Sequence, residues 1–272
     1  MSEPTRGGGT HRLEVLGTEW LSPHMVRVVA GGPGLASFVD NGLTDRYVKI
    51  IFRRPDVEYV EPLDMAECRQ SLPREQWPVQ RTYTVRSVSD TRLVIDFVYH
   101  GEEGLAGPWA AGLKPGDEVL FAGPGGGYAP SPDADWHLLV GDEAALPAIA
   151  SALEAIGADR PAYAFIEVAS AGEELELARP VRWVHRDAGV PLAEVVRAFE
   201  FPPGAVQAFV HGEAGTIRDL RRYLRFDRAV PRESLSISGY WRRGMDDEGW
   251  RASKKTEREL EEAEETAGHR ID

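Results

Sequence analysis

The segment at residues 81–86 combines residue types that suit the binding of a phosphate beside a flat ring. Arg81-Thr82-Tyr83-Thr84-Val85-Arg86 alternates like a strand, so Arg81, Tyr83 and Val85 share one face. An arginine and a tyrosine two residues apart can bind a phosphate and pack against a planar ring. A strand with exposed cations and one amphipathic tyrosine has the same pattern, so this segment alone leaves both interpretations open.

A second segment has the pattern of a strand, a glycine-bearing loop and a short helix. Asp96-Phe97-Val98-Tyr99-His100-Gly101 ends the strand, and a helix is predicted to start near Pro108. Free backbone N–H groups at such a start suit a pyrophosphate, and Gly101 and Gly104 permit its close approach. Trp109 either covers an adenine or packs in the core.

In the second half of the chain, candidate residues follow two continuous apolar runs. Asp142 and Glu143 follow the run WHLLVG. His211 and Gly212 are the last two residues of the run VQAFVHG, and Glu213 and Ala214 come directly after it. The carboxyl ends of parallel strands are where α/β domains bind nucleotides. Helix caps and ordinary turns explain the same residues, so both interpretations stay open. No GxGxxG follows WHLLVG, so the usual dinucleotide fingerprint is absent.

Cationic side chains cluster in two places near the end of the chain. The run Arg218, Arg221, Arg222, Arg225 and Arg228 is typical of a solvated face. A further set, Arg242, Arg243, Lys254 and Lys255, follows the last apolar strand, SLSIS. Tyr240 and Trp241 lie between that strand and those cations.

The elements that must position these residues change character in the middle of the chain. Short alternating strands separated by turn formers fill residues 11–52 and 81–121, while residues 53–80 have no clean period and are interpreted as a long surface excursion. This pattern predicts an antiparallel β-barrel or sandwich. Gly123-Pro124-Gly125-Gly126-Gly127 is predicted to be a linker. Strands then alternate with helices, which predicts a doubly wound parallel sheet. The predicted domains are residues 1–127 and 128–272.

Composition excludes several classes of protein. Lys and Arg number 31 against 44 Asp and Glu, a net charge of −13 that disfavours a nucleic-acid binder. Cys68 is the single cysteine, so no disulfide within the chain and no cysteine-rich metal site is expected. The seven histidines are scattered, and no metal site is predicted. No secretory signal and no apolar run of about 18 residues is present, so we expect a cytoplasmic protein without a membrane partner.

Taken in order, these motifs resemble the siderophore-interacting protein family, the bacterial FAD-containing ferric-siderophore reductases. The matching segments are RTYTVR (81–86), DFVYHG (96–101), the pattern G-x-A-x-x-W-A (104–110), KPGDEVLFAGPGG (114–126), GDEAALPAI (141–149) and GYWRRG (239–244). One departure is Leu105, where the family usually has proline after the loop glycine. The resemblance implies a ferredoxin-NADP reductase-like fold, with an N-terminal FAD-binding β-barrel domain and a C-terminal NAD(P)H-binding α/β domain.

The resemblance also implies a set of site residues. The expected FAD-binding residues are Arg81, Thr82, Tyr83, Thr84, Asp96, Val98, His100, Gly101, Gly104, Ala106, Trp109 and Ala110. The residues expected to face NADPH or NADH are Asp142, Glu143, His211, Gly212, Glu213 and Ala214. Those expected to hold an anionic ferric siderophore at a basic mouth between the domains are Tyr240, Trp241, Arg242, Arg243, Lys254 and Lys255.

The implied activity is reduction of a ferric siderophore, which releases Fe(II) because hard oxygen donors hold Fe(II) more weakly. No residue beyond those that position the flavin is expected to be catalytic. The electron donor is NADPH, NADH or reduced ferredoxin, and we expect a monomer. Three alternatives stay open: another flavin reductase of the same superfamily, a redox-silent siderophore-binding flavoprotein, and a siderophore hydrolase, which the absence of GxSxG disfavours.

Overall fold

The computed structural model describes residues 9–253. The chain divides between Ala129 and Pro130 into two compact units, two residues beyond the boundary expected from the sequence. Lys254, Lys255 and the acidic tail lie outside the described residues. Within residues 9–253, no helix combines the length and the hydropathy that a membrane span requires.

The first unit is a closed antiparallel barrel of six strands, as the alternating pattern predicts. Its strand order is β1-β2-β5-β4-β3-β6, and every neighbouring pair is antiparallel. The strands are β1 Thr10–Ser22, β2 Met25–Gly31, β3 Tyr47–Phe52, β4 Val79–Val88, β5 Arg92–Val98 and β6 Glu118–Gly125. The helices of this unit are α1 Met65–Ser71 and α2 Ala106–Gly112, with 3₁₀ turns at Pro33–Ser37 and Arg74–Gln76.

Alternation along the strands fills the inside of the barrel with apolar side chains. Leu13, Val15, Val28, Ile50 and Phe97 are all buried in one cluster that also takes in α2. Burial of this kind is worth about 1.5–3 kcal/mol for each large apolar side chain. The barrel is therefore a rigid support for the motif on β4 and for the loop after β5.

The segment at residues 53–80 differs from the surface excursion that its irregular period predicts. Asp64 caps α1 by accepting hydrogen bonds from the backbone N–H groups of Ala66 and Glu67, at 2.7 and 2.9 Å. The helix buries Met65 and Cys68 in a small cluster with Leu63, Ile51 and Leu120 on β3 and β6. The helix is seven residues long and buries only two of them, so it leaves almost no periodic signal.

The glycine-rich segment at residues 123–127 is not the free linker that was predicted. Its first three residues complete strand β6, and a Cβ at Gly125 would lie 2.4 Å from the ring of Tyr47 on β3. Asp45 then accepts hydrogen bonds from the backbone N–H groups of Gly127 and Tyr128, at 2.9 and 2.8 Å. The glycines allow close packing against β3, and the aspartate holds the turn to the barrel.

The second unit contains a five-stranded, wholly parallel sheet with the order β11-β10-β7-β8-β9, which confirms the predicted α/β class. Its strands are β7 Trp136–Asp142, β8 Ala162–Val168, β9 Arg182–His185, β10 Val206–Glu213 and β11 Leu235–Trp241. Its helices are α3 Leu146–Ala155, α4 Leu192–Arg197 and α5 Ala214–Arg222, with 3₁₀ turns at Ala171–Glu173, Arg186–Ala188 and Arg232–Ser234 and a π turn at Tyr223–Asp227.

The strand order creates a topological switch point between β7 and β10. From β7 the chain proceeds to β8 and β9 on one side, then returns to β10 and β11 on the other. Ligands of open α/β sheets bind outside the carboxyl ends of the strands at such a point. We call the residues at the carboxyl ends of β7, β10 and β11, namely 141–143, 211–214 and 240–243, the switch-point edge.

Candidate functional site

Strand β4 carries the Arg-Thr-Tyr-Thr motif on the wall of the barrel. Tyr83 packs against the barrel core, with its ring centroid 4.3 Å from that of Phe97. Thr82 is exposed, whereas Thr84 on the same nominal face is buried. Arg81 is half-buried, and its guanidinium donates to the carbonyl of Gln80 at 3.1 Å. The motif therefore presents a cation and a hydroxyl beside an aromatic ring that the core holds in place.

Asp96 lies in strand β5, where its carboxylate forms an ion pair. Arg27 on β2, directly opposite in register, donates to both carboxylate oxygens at 2.7 and 2.8 Å. The Asp96 side chain is 1% exposed and that of Arg27 is 28% exposed. The Asp96 carboxylate is directed to Arg27 and stabilises the barrel wall, and the expected contact of Asp96 with the cofactor stays a prediction.

The loop after β5 joins Val98 to helix α2. Gly101 and Gly104 adopt φ values of 67° and 79°, in the left-handed region that favours glycine, and a Cβ at either position would have no atom within 4 Å. His100 is exposed beside them. The loop is therefore an open surface whose backbone a ligand can approach closely.

Helix α2 begins at Ala106, two residues before the predicted start, and packs tightly on the end of β5. A Cβ at Gly107 would lie 3.0 Å from the carbonyl oxygen of Val98, so glycine permits this close approach. Ala106 and Ala110 are buried. Trp109 packs edge-to-face with Phe52 and Phe97, at ring distances of 5.1 and 5.7 Å, which favours the core position of the two interpretations.

The switch-point edge brings together the candidate residues that follow β7 and β10. Asp142 is buried and accepts three hydrogen bonds: from the backbone N–H of Ala144 at 3.0 Å, from that of Glu213 at 2.8 Å, and from the indole N–H of Trp241 at 2.8 Å. A single carboxylate thus contacts donors from the ends of three neighbouring strands. A parallel sheet was predicted for this half of the chain, but its strand order and the role of Asp142 as a common acceptor for the ends of β7, β10 and β11 were not.

Burial and, to a smaller extent, the nearby Glu143 raise the pKa of Asp142, the three hydrogen bonds lower it, and the net result is a pKa of about 7. None of the groups that set this pKa is a cation. The carboxylate therefore ionises near neutral pH rather than in the acid range usual for aspartate.

Glu143 forms an ion pair, and neither Asp142 nor Glu143 caps helix α3, so the structure does not favour the capping interpretation that the sequence left open. Helix α3 has no side-chain cap, and its N-cap residue is Ala145. Arg186, after β9, donates to both oxygens of Glu143 and to Glu167 on β8 at 3.3 Å. The hydrogen bonds that Arg186 donates to Glu143 raise the pKa of Arg186 well above its usual value.

His211 and Glu213 lie at the end of β10, beside Asp142. The His211 ring is buried, with Nε2 3.0 Å from the hydroxyl of Ser236 and the ring centroid 4.8 Å from that of Tyr240. Glu213 caps helix α5 by accepting from the N–H of Thr216 at 2.9 Å, which confirms the capping interpretation for this residue. Gly212 separates them with φ 146°.

The expected substrate residues lie partly on this edge and partly outside the described chain. Tyr240 and Trp241 are the last residues of β11 rather than residues that follow it. Arg242 is half-buried, Arg243 is exposed, and the backbone N–H of Arg243 donates to Glu213 at 3.3 Å.

Several arginines of the run 218–228, which the sequence indicates to be a solvated face, contact other groups of the second unit. Arg221 donates to the carbonyl of Ile237 and Arg225 to that of Val230. Arg228 lies 4.0 Å from the ring centroid of Phe201.

Gly212→Ala tests how tightly the switch-point edge is packed. A Cβ at Gly212 would lie 2.6 Å from a carboxylate oxygen of Asp142, in a φ region that side chains rarely adopt. We expect a loss of about 2 kcal/mol in the free energy of unfolding relative to Gly244→Ala, measured by urea denaturation. Gly244 is the matched control, because it also has a positive φ but open space around it. Equal losses in the two variants would contradict the packing argument.

Comparison with known proteins identifies the family. The model of the siderophore-interacting FAD-binding domain matches residues 14–128, and the siderophore-interacting protein model matches residues 134–244. The chain belongs to the siderophore-interacting protein family. The resemblance seen in the sequence motifs is confirmed.

Three relatives of this siderophore-interacting protein align over most of their length. An uncharacterized Mycobacterium tuberculosis protein is 46% identical, over 95% of this chain and 98% of the relative. Ferric vibriobactin reductase ViuB of Vibrio cholerae is 30% identical, over 88% of this chain and 91% of ViuB. The NADPH-dependent ferric-chelate reductase of Escherichia coli is 28% identical, over 84% of this chain and 91% of that protein.

Solved structures support the same family and the fold. A siderophore utilization protein from T. fusca has a TM-score of 0.75 at 34% identity, covering 88% of this chain and 95% of that one. A ferredoxin NADP+ reductase from Neisseria gonorrhoeae has a TM-score of 0.57 at 12% identity, covering 79% and 90%. The predicted ferredoxin-reductase-like fold is therefore confirmed for this siderophore-interacting protein.

The residues on the barrel fit the FAD that the family binds. The dinucleotide carries phosphate anions and a flat ring system, and Arg81 supplies a cation on β4 beside a core-supported tyrosine ring. The open backbone around Gly101 and Gly104 leaves space for a phosphate to approach. The Asp96 carboxylate is already paired with Arg27, so a place for Asp96 in this set stays a prediction.

Proposed function

We propose that this protein reduces ferric siderophores with FAD, using electrons from NAD(P)H, and so releases Fe(II) from the chelate. The oxidoreductase class and the cofactors FAD and NAD(P)H follow from the family models and the two reductases among its relatives. The observation that carries the proposal is the combination of the FAD-binding barrel with a switch-point edge in one chain.

When bound, FAD supplies the step between a two-electron donor and a one-electron acceptor, because a flavin accepts hydride and releases electrons singly. Arg81 binds its phosphates together with the backbone around Gly101 and Gly104. Tyr83 and Thr84 lie beside the ring, and His100 and Thr82 are exposed nearby.

The proposed nicotinamide site is the switch-point edge of the second unit. His211 and Gly212 are buried at the end of β10 and support the edge that the nucleotide approaches, and Glu213 orients the start of helix α5. Asp142 is 3% exposed, and the three hydrogen bonds direct its carboxylate into the protein. We therefore assign Asp142 to support of this site and not to contact with the nucleotide.

The proposed siderophore contacts are Arg242 and Arg243, which follow β11. Ferric catecholate and carboxylate chelates are anionic, so a local pair of cations offsets the net charge of −13 for such a ligand. Their attraction weakens as salt screens it. Lys254 and Lys255 belong to the same proposal on sequence grounds alone.

The test is anaerobic spectroscopy of the purified protein. Oxidised FAD absorbs visible light, and NADPH or NADH is expected to bleach it. Addition of a ferric tris-catecholate is then expected to restore the flavin absorbance, with Fe(II) captured by a ferrous chelator. Bleaching by reduced ferredoxin alone would overturn the donor, and a flavin that no donor reduces would indicate a redox-silent binding protein.

Arg81→Ala tests the FAD assignment. Loss of a charge-assisted hydrogen bond to a phosphate corresponds to about 1.5–3 kcal/mol, so the Kd for FAD is expected to rise by about 10- to 150-fold. Arg92→Ala is the matched control, because it removes an exposed arginine at the start of β5, away from the motif. Affinities are measured by flavin fluorescence during FAD titration of the deflavinated protein. An unchanged Kd in Arg81→Ala would remove Arg81 from the phosphate site.

A further inference from the structure

Asp142 is the one described residue at the switch-point edge whose side chain contacts the ends of β7, β10 and β11 together. Its Oδ1 accepts from Ala144, and its Oδ2 accepts from both Glu213 and Trp241. The spacing in sequence is large, since Trp241 is 99 residues from Asp142. These hydrogen bonds hold three separately folded segments in one arrangement.

The backbone around this carboxylate is built to admit it. A Cβ at Gly212 would lie 2.6 Å from Oδ2, and a Cβ at Gly141 would lie 2.7 Å from the carbonyl oxygen of His211. With glycine at both positions, β7 and β10 approach closely enough for Asp142 to accept from the N–H of Glu213. The arrangement tolerates little displacement, because close-packed interiors have no spare volume.

The contacts continue from Asp142 to the surface that the nucleotide approaches. Glu213, whose backbone N–H donates to Asp142, uses its side chain to cap helix α5 through Thr216 and to accept from the N–H of Arg243. Displacement of Glu213 therefore moves both the start of α5 and the segment that follows β11. This is a continuous hydrogen-bonded path from one buried carboxylate to the exposed edge.

All three hydrogen bonds of Asp142 come from N–H donors, so the ionised carboxylate accepts every one of them. A proton on Oδ1 would face the N–H of Ala144, and a proton on Oδ2 would face the N–H groups of Glu213 and Trp241. Oδ2 already accepts two hydrogen bonds, so a proton there displaces one of its two donors, whereas a proton on Oδ1 leaves that oxygen a weaker acceptor for Ala144. Burial, which raises the pKa of this carboxyl to about 7, brings that change into the range near neutrality.

The elements packed against Asp142 carry other charged or titratable groups. They are Glu143 on its own turn, Glu167 opposite it on β8, His211 and Glu213 on β10, Arg186 after β9, and Arg242 and Arg243 after β11. Glu143 and Glu167 form ion pairs with Arg186, and the His211 ring has a hydrogen bond with Ser236. Because histidine itself titrates near neutral pH, the test includes a His211 variant as a control.

We propose that Asp142 is a pH-sensitive positioning residue: ionised, it locks the ends of β7, β10 and β11 into the arrangement that binds the nicotinamide nucleotide, and protonated, it releases them. The consequence for the nucleotide rests on the proposed function. The lock itself depends only on the chain.

The first measurement is a pH titration of tryptophan fluorescence in the FAD-bound protein between pH 5.5 and 8.5. Subtraction of the Trp241→Phe signal isolates Trp241, whose indole N–H donates to Asp142. We expect one transition with a midpoint near pH 7. It should persist in His211→Gln and vanish in Asp142→Asn. Absence of the transition, or its persistence in Asp142→Asn, overturns the lock.

The second measurement is the Kd for NADP+ and NAD+ at pH 6 and pH 8. We expect binding to weaken by about five- to tenfold at pH 6 in the wild type and to show no such change in Asp142→Asn. Trp241→Phe removes one donor to the ionised form, so it should move the midpoint of this pH dependence upward, which provides a test if Asp142→Asn fails to fold. Nucleotide binding and flavin bleaching with no pH dependence would overturn the inference and leave the proposed function intact. A Trp241 transition in a protein that binds neither nucleotide would leave the lock and overturn the proposed donor.

Discussion

Arg27→Ala is expected to lower the free energy of unfolding of the barrel by about 3–5 kcal/mol, because it leaves the buried carboxylate of Asp96 without its cation. The Asp96 side chain is 1% exposed, and both of its oxygens accept from the Arg27 guanidinium. The Arg27 side chain covers this carboxylate, so the substitution removes both hydrogen bonds to its oxygens. The loss is measured by urea denaturation of the full chain, with far-UV circular dichroism as the signal.

Two further variants separate the ion pair from other effects of the substitution. Arg12→Ala is the matched control, because Arg12 pairs with Glu61 and Glu118 on the exposed barrel surface, where we expect a loss below about 1 kcal/mol. Asp96→Asn added to Arg27→Ala removes the stranded charge and should recover much of the lost stability. Similar losses for Arg27→Ala and Arg12→Ala would refute the buried-charge argument.

The same experiment separates a structural Asp96 from a cofactor-binding Asp96. Protein that remains folded in Arg27→Ala with Asp96→Asn is expected to bind FAD as the wild type does. The sequence alone could not assign Asp96, since its partner lies 69 residues earlier. Only the antiparallel register of β2 and β5 places the two side chains opposite each other.

Periodic patterns explain why the architecture was predictable from the sequence. Strand β7 is buried along its whole length, so WHLLVG is continuously apolar, whereas β1 alternates because one face of a barrel strand meets solvent. The end of each apolar run marks the carboxyl end of a strand, so Asp142 and His211 were correctly placed near each other. The two residues lie at the same edge of the sheet because β7 and β10 are parallel neighbours, with Gly141 opposite His211.

The errors share one physical cause, which is that single sequences do not contain side-chain partners. Glu143 has the position of a helix cap, yet Arg186, 43 residues later, supplies a stronger interaction. The glycines at 123–127 have the composition of a linker, yet Asp45, 82 residues earlier, fixes Gly127 to the barrel. Long-range hydrogen bonds and ion pairs override local propensity at these positions.

The free energy of unfolding is expected to fall by about 4 kcal/mol between pH 4 and pH 7 on account of Asp142 alone. The pKa of this carboxyl rises from 3.8 to about 7 in the folded protein, chiefly through burial, and each pH unit corresponds to about 1.36 kcal/mol. The folded state holds the proton more tightly than the unfolded state does. Stability from this group is therefore fully present below pH 3.8 and is lost as the pH rises through 7.

Asp142→Asn isolates this contribution from all other titrating groups. Asparagine carries no charge at any pH. The free energy of unfolding of the wild type minus that of Asp142→Asn should therefore decrease by about 4 kcal/mol from pH 4 to pH 8. Glu194→Gln on the exposed side of α4 is the matched control and should show no such trend. A difference that is flat in pH would mean that the pKa of Asp142 is the same in the folded and unfolded states. Burial of the charge therefore lowers the free energy of unfolding at neutral pH, even though the three N–H donors hold the ionised carboxylate in place at the switch-point edge.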